Sequence, residues 1–154
     1  PGGSVNHHYV KEEWMKTALR WPRMMIATDA LPAVNLSIKT NPNVAGTFSR
    51  VLGYYVRDTK LLTLSDGLAR MSLYQAQWLS QASTDFDKKG RIQQGADADI
   101  VIFDPTTVQA NAVYGDPYLR PTGIPYVIVG GQLVVSNGEL VEGVYPGQRI
   151  LGDR

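Results

Sequence analysis

Residues 10–30, VKEEWMKTALRWPRMMIATDA, decide the fold. Val10, Trp14, Ala18 and Trp21 recur at helical spacing, with Met15 and Leu19 beside them. Glu12 and Glu13 fall early and Arg20 falls late, as a helix macrodipole favours. Pro22 ends the pattern, because it lacks an amide hydrogen and its ring crowds the preceding turn. Residues 23–28 then run without polar alternation and read as a short strand covered on both faces, as in a parallel sheet. Helix, stop and buried strand make one unit of an α/β sheet or barrel. Asp29 follows the strand directly. The C-terminal ends of such strands are where α/β folds place their active sites. Asp29 is therefore a candidate for chemistry, while a turn or cap is the plainer reading of an Asp in that place.

Downstream, ALPAVNLSIKTNPNVAG (residues 30–46) has little periodicity and reads as a long loop at that strand end. Phe48, Val51, Leu52, Tyr55 and Val56 then form an i, i+3, i+4, i+7, i+8 stripe, which predicts a helix. Ser65 is the expected N-cap of another helix. SLYQAQWLSQ (residues 72–81) continues in helical style, and STDFDKKG (residues 83–90) reads as a polar linker. From Arg91 the texture turns to β: ADIVIFDP is an apolar strand closed by an Asp-Pro turn. Two hairpins follow, signalled by Gly130 with Gly131 and by Asn137 with Gly138. The expected boundary lies near residues 84–92, with an α/β part over 1–90 and an all-β part over 91–154. A small open sheet has difficulty burying both faces, and a parallel-type strand needs neighbours. Both parts read as incomplete, so the chain is expected to be a piece of something larger or to dock on a partner.

The 154 residues suffice for an ordinary core. Their 15 basic and 14 acidic residues form no stripe or block, so neither nucleic acid nor an anionic membrane is the expected partner. No apolar run approaches the ~18 residues of a membrane span. There is no cysteine, hence no disulfide and no thiolate metal site within the chain. No signal peptide is visible, but a chain beginning at Pro1 is expected to lack its native N-terminus and any targeting segment. A soluble protein of cytoplasm or periplasm is the expectation. No internal repeat is visible.

GRIQQGADADIVIFDPTTV resembles a C-terminal signature of the amidohydrolase superfamily, carried by Gly90, Ile92, Gly95, Ala98, Asp99, Ile100, Val101, Phe103 and Asp104. GTFSRVLGYYVR narrows the resemblance. Gly46, Thr47 and Phe48, followed by Arg50, Val51, Leu52 and Gly53, are similar to the G-T-F-x-R-x-L-G stretch of the N-acyl-D-amino-acid deacylase family. GIPYVIVGGQLVVSNGEL and YPGQRI resemble that family's closing hairpins and tail. The resemblance runs from about residue 10 to the end. It implies the C-terminal part of a metal-dependent (β/α)8 barrel joined to part of a small β-sandwich built from both chain ends.

The resemblance also implies a site. Thr28, Asp29, Ala30, Leu31 and Pro32 stand where the family carries S-D-[GA]-x-P after its last barrel strand. Asp29 would be the carboxylate that deprotonates the attacking water and hands the proton to the leaving nitrogen. It is also a candidate metal ligand. The cofactor implied is zinc, one or two ions, held mainly by residues outside this chain. His7 and His8, the only histidines, lie in a loop before the first helix and read as exposed loop residues. The family's His-Pro-Arg, whose Arg binds the substrate carboxylate, is matched by Asn41, Pro42 and Asn43. Asn cannot replace the charge and fork of a guanidinium. Candidate substrate-binding residues are therefore Lys39, Asn43 and Arg50, with a structural ion pair the competing reading of Arg50. Gln75 stands where a Pro is common.

Asp99 and Asp104 bracket a strand and read as turn formers that also help dock the sandwich on the barrel. Trp14, Trp21 and Trp78 sit at core spacing on helices. The expected reaction is hydrolysis of an amide C–N bond in a small molecule, an N-acyl-D-amino acid, with the 154-residue chain inactive alone. Its expected partner is the missing N-terminal portion, or a second copy. The alternatives are a cyclic-amide hydrolase of hydantoinase or dihydroorotase type, and a non-catalytic fragment serving as a structural module.

Overall fold

The computed structural model describes residues 8–30 and 40–152. Helix α1 (Glu12–Leu19) opens on its two glutamates and is followed by a turn through Pro22. Helix α2 (Asn43–Arg50) runs without a break into a π-helical stretch, Val51–Asp58. A second helix of mixed pitch joins α3 (Leu64–Leu68), a π turn (Ala69–Leu73) and α4 (Tyr74–Leu79). A 3-10 turn, Thr84–Lys88, occupies the expected polar linker. The sheet is a meander in the order β1 (Ile100–Ile102), β2 (Tyr126–Val129), β3 (Gln132–Ser136), β4 (Glu139–Leu140), antiparallel throughout.

The hairpins follow the turn chemistry. Gly130 and Gly131 have φ of 55° and 79°, and Asn137 and Gly138 have 52° and 82°. Two successive positive φ values are the primed turn whose twist matches that of paired strands. The register steps between Val127 and Ile128, so Val127 faces Val135 while Ile128 faces Leu133.

Three expectations need correction. The cap of α3 is Thr63, not Ser65: its hydroxyl oxygen accepts from the Asp66 amide at 3.1 Å, and the hydroxyl donates to the Asp66 carboxylate at 2.8 Å. A capping hydroxyl works two or three residues ahead of the amide it satisfies, and Thr63 has that offset while Ser65 does not. Residues 23–28 are not paired as a strand. A parallel strand exists only as part of a ladder, and no neighbouring strand lies among the described residues. The segment nevertheless keeps a period of two: Met24, Ile26 and Thr28 are buried or half-buried, while Met25, Ala27 and Asp29 are exposed. One face is covered, not both. Trp14, Trp21 and Trp78, read as core, are 55%, 73% and 62% exposed. Their helical spacing is real, but no described element covers that side.

The core gathers Leu19, Ile26, Val51, Tyr55 and Leu62, with Met24, Tyr54, Val56, Leu61 and Met71 packed around it. It binds α1, the Asp29 segment and the long helix together. The stripe starting at Phe48 follows a 3.6 period. Val51, Leu52 and Tyr55 are buried, but Phe48 is 43% exposed, because the helix changes pitch after Arg50.

The β part docks on that helix at Gly53. A Cβ built on Gly53 would stand 2.6 Å from the carbonyl oxygen of Val108, so only glycine permits the approach. Arg57 Nη1 donates to the same carbonyl at 2.5 Å, and Arg57 Nη2 to Gln109 Oε1 at 3.0 Å. Val108 itself is fully buried.

Candidate functional site

Asp29 stands at the end of the exposed row Met25, Ala27, Asp29, with φ of 49°. The left-handed region is uncommon for a residue with a side chain, although Asp and Asn tolerate it best. Such conformations persist where surrounding structure enforces them. Two helices do so here. The Asn43 amide Nδ2 donates to the Thr28 carbonyl at 2.5 Å. The Ile26 amide donates to the Arg70 carbonyl at 2.9 Å, and Gln75 Nε2 donates to the Ile26 carbonyl, also at 2.9 Å. Upstream, Arg70 Nη1 donates to the carbonyls of Trp21 at 2.8 Å and Met24 at 3.4 Å.

Asp29, Asn43 and Arg50 line one cavity of about 330 Å³, together with Thr28, Thr47 and Tyr55 over a floor of Met15, Leu19 and Ile26. The structure thus brings three of the four sequence candidates together. The fourth, Lys39, lies outside the described residues, as does His7. Asn43 is spent on the backbone: its side chain holds Thr28, and its amide donates to Asn41 Oδ1 at 3.2 Å. Arg50 reaches Glu12 Oε2 at 3.8 Å and lies over the rings of Tyr54 and Tyr55, 4.8 and 5.7 Å from their centroids. Burial pushes the Tyr55 hydroxyl up, with Arg50 opposing and Glu12 reinforcing the shift. His8 stacks edge-on against Tyr114, centroids 4.5 Å apart.

Among the described residues the Asp29 carboxylate has no hydrogen-bond or ion-pair partner, and no three His, Cys, Asp or Glu side chains converge as a metal site. One carboxylate cannot hold a zinc ion, which takes three or four protein donors. The described residues therefore do not hold such a group by themselves, and they fit it only alongside donors beyond them.

Sequence reasoning missed Glu12, Arg70 and the role of Gln75. Arg70 is only 7% exposed, on a turn whose other residues are Ala69, Met71, Ser72 and Leu73. The same helix also carries Asp66, Ser72 and Gln77, so no signal in its sequence singled out Arg70 and Gln75. Asp99 and Asp104 serve local structure. Asp99 accepts from Lys89 Nζ at 2.5 Å and from the Gly130 amide at 2.8 Å, and Asp104 accepts from the amide and hydroxyl of Thr106 at 2.8 and 2.7 Å.

The amidohydrolase family profile matches residues 16–135. The chain is 34% identical over 131 residues to both N-acyl-D-glutamate deacylase and D-aminoacylase of Alcaligenes xylosoxydans xylosoxydans, covering 85% of this chain and 25% of each relative. It spans about a quarter of the length of these curated relatives. A crystal structure of D-aminoacylase superposes with a TM-score of 0.80 at 32% identity, covering 94% of this chain and 28% of that one. N-acyl-D-glutamate deacylase from Bordetella bronchiseptica, solved with zinc and a phosphonate mimic of the tetrahedral intermediate, gives 0.73 at 37% identity over 80% of this chain and 24% of that one. The sequence profile spans the segment that carries Asp29, the long helix and strands β1 and β2, and the chain belongs to the amidohydrolase family.

Proposed function

We propose that this chain forms the C-terminal quarter of a zinc-dependent amidohydrolase that cleaves the amide C–N bond of N-acyl-D-amino acids. The observation that carries the reading is the placement of Asp29: exposed, backbone-constrained, at the end of a pinned segment and on the rim of a cavity. Zinc, when bound through donors outside this chain, supplies Lewis acidity to a carbonyl and acidifies water. Asp29 then acts as the general base toward the attacking water and returns the proton to the leaving nitrogen. A positioned carboxylate of this kind contributes about 10²- to 10⁴-fold in rate. Asp29→Asn in the full-length protein keeps the shape and removes the base, so kcat should fall by roughly that factor. Retained turnover would refute the assignment.

Arg50 is the cation on the cavity wall and the candidate for the carboxylate of the substrate; Lys39 is the second candidate. The Glu12 contact neutralises Arg50 only in part, at 3.8 Å. Arg50→Met should raise KM for N-acyl-D-amino acids and leave kcat nearly unchanged. Parallel assays with a hydantoin and a dihydropyrimidine separate the cyclic-amide alternative.

We further infer that residues 1–90 complete the barrel end and residues 91–154 complete a β-sandwich. The support is exposed apolar surface on both parts. Trp14, Trp21, Met25 and Trp78 are uncovered on the helical part. A groove of about 880 Å³ opens on the sheet, lined by Val129, Val134, Leu140 and Tyr145. The N-terminal remainder of the same enzyme is the occupant of both.

A further inference from the structure

We propose that Gln75 is a positioning residue for Asp29. The inference rests on the reading of Asp29 as the proton-transferring group, and adds the part that holds it in place.

The Gln75 carboxamide faces two acceptors. Nε2 lies 2.9 Å from the Ile26 carbonyl and 2.5 Å from the Arg70 carbonyl. Neither oxygen can donate, so the amide must present its NH₂ to both, and its orientation follows from its partners. The Arg70 carbonyl is bridged in turn to the Ile26 amide at 2.9 Å. Both backbone groups of Ile26 are therefore tied to one stretch of helix, the amide directly and the carbonyl through Gln75. Arg70 lies in the π segment Ala69–Leu73, and Gln75 lies in the first turn of α4 that follows it. Turns of π pitch depart from the α ladder and recur at functional sites.

The arrangement has a cost that argues for its use. Gln75 Oε1 and Arg70 Nε are buried with no hydrogen-bond partner among the described residues. An unsatisfied buried polar atom is destabilising, and an apolar side chain would avoid it. What Gln75 gains is a fixed Ile26 carbonyl three residues before Asp29. With Asn43 holding the Thr28 carbonyl from the opposite helix, the segment is gripped at two alternate residues, 26 and 28. Beyond them Asp29 is left to adopt its left-handed conformation.

The test is steady-state kinetics of Gln75→Met in the full-length enzyme. Met matches the length and shape and lacks the donor. A 1 Å misplacement of a reacting group costs on the order of 10²-fold, so kcat should fall roughly 10- to 100-fold, with KM changed less than about twofold. Circular dichroism and the melting temperature should stay near wild type. Gln75→Leu, which also lacks the NH₂ and carries no charge, is the second variant and carries the test if Gln75→Met does not fold; it should show the same split. Unchanged kcat in a folded variant overturns the proposal. So does a rise in KM alone, or a fall in kcat that tracks the fraction unfolded. Asp29→Asn is measured beside them. If it is inactive and the Gln75 variants are not, the clamp fails and the reading of Asp29 stands. If Asp29→Asn turns over normally, both fall.

Discussion

Asp29 combines an exposed carboxylate with a backbone angle that most side chains avoid. These two properties make separable demands on substitution. Asn tolerates the left-handed region as Asp does, so Asp29→Asn should melt at the wild-type temperature while losing turnover. Ala keeps the Cβ penalty without the local polar compensation and should cost about 1 kcal/mol. Gly removes the penalty and should melt at or above wild type. Differential scanning calorimetry of the three variants orders them Gly ≥ Asn > Ala. A different order would show that the conformation is not imposed at this residue. Asp29 stood out in the sequence as a candidate because a carboxylate closing an otherwise apolar segment is conspicuous. Arg50 was legible as a candidate but not as to partner, since Glu12 is distant in sequence. Gln75 was visible only as a departure from the family stretch. Its partner is a main-chain carbonyl, and main-chain groups carry no signature in a sequence.

At the scale of elements, the two parts are joined where helix meets loop, at Gly53 and Arg57. Gly53→Ala forces a methyl group to 2.6 Å from the Val108 oxygen. Overpacking of this kind costs about 1–3 kcal/mol, and urea denaturation should show that loss. A second lock ties the linker to the first hairpin through Lys89, Asp97, Asp99 and the Gly130 amide. The bond from Lys89, then the Gly130 amide, hold the Asp99 carboxyl below its ordinary range, and the bonds to Asp99 and Asp97 raise Lys89. The signs give a window. The Asp99 contribution is present above the ordinary Asp pKa of 3.8 and is lost as pH falls through the lower folded value. The Lys89 contribution is present below 10.5 and is lost as pH rises through its higher folded value. Lys89→Met should therefore lower the melting temperature by a constant amount from about pH 5 to about pH 9, with the difference closing in acid. A difference that grows toward acid would refute the lock. The hairpin turns were legible because Gly-Gly and Asn-Gly act locally. The helix over 43–58 was legible as a helix but not as a π segment, since its pitch is set by what packs on it. The strand at 23–28 was read with its alternation hidden, because Met, Ile and Ala are apolar on both faces.

For the whole molecule, the open surfaces govern behaviour. The indole-bearing side, the sheet groove and the unpaired edge strand β1, where Val101 and Ile102 are 53% and 46% exposed, are all uncovered. Exposed apolar patches and bare strand edges lead to association. The 154-residue chain expressed alone should bind an apolar fluorescent dye and elute as mixed aggregates. Co-expression with the N-terminal remainder should abolish dye binding and restore one species. A monomeric, dye-negative chain would contradict the incompleteness read from its parts.

The helix that begins at Asn43 and ends at Asp58 is bonded at both extremities. Its first residue grips the Thr28 carbonyl, and its last turn, through Arg57, grips the loop that precedes β2. It behaves as a tie-rod between that loop and the backbone beside Asp29. Strain introduced at Gly53, in its second half, has this helix as its route to the Thr28 carbonyl beside Asp29. On the proposed reading of Asp29, the loop after β1 is thereby an anchorage for that carboxylate, and Gly53→Ala should lower kcat before it lowers the folded fraction.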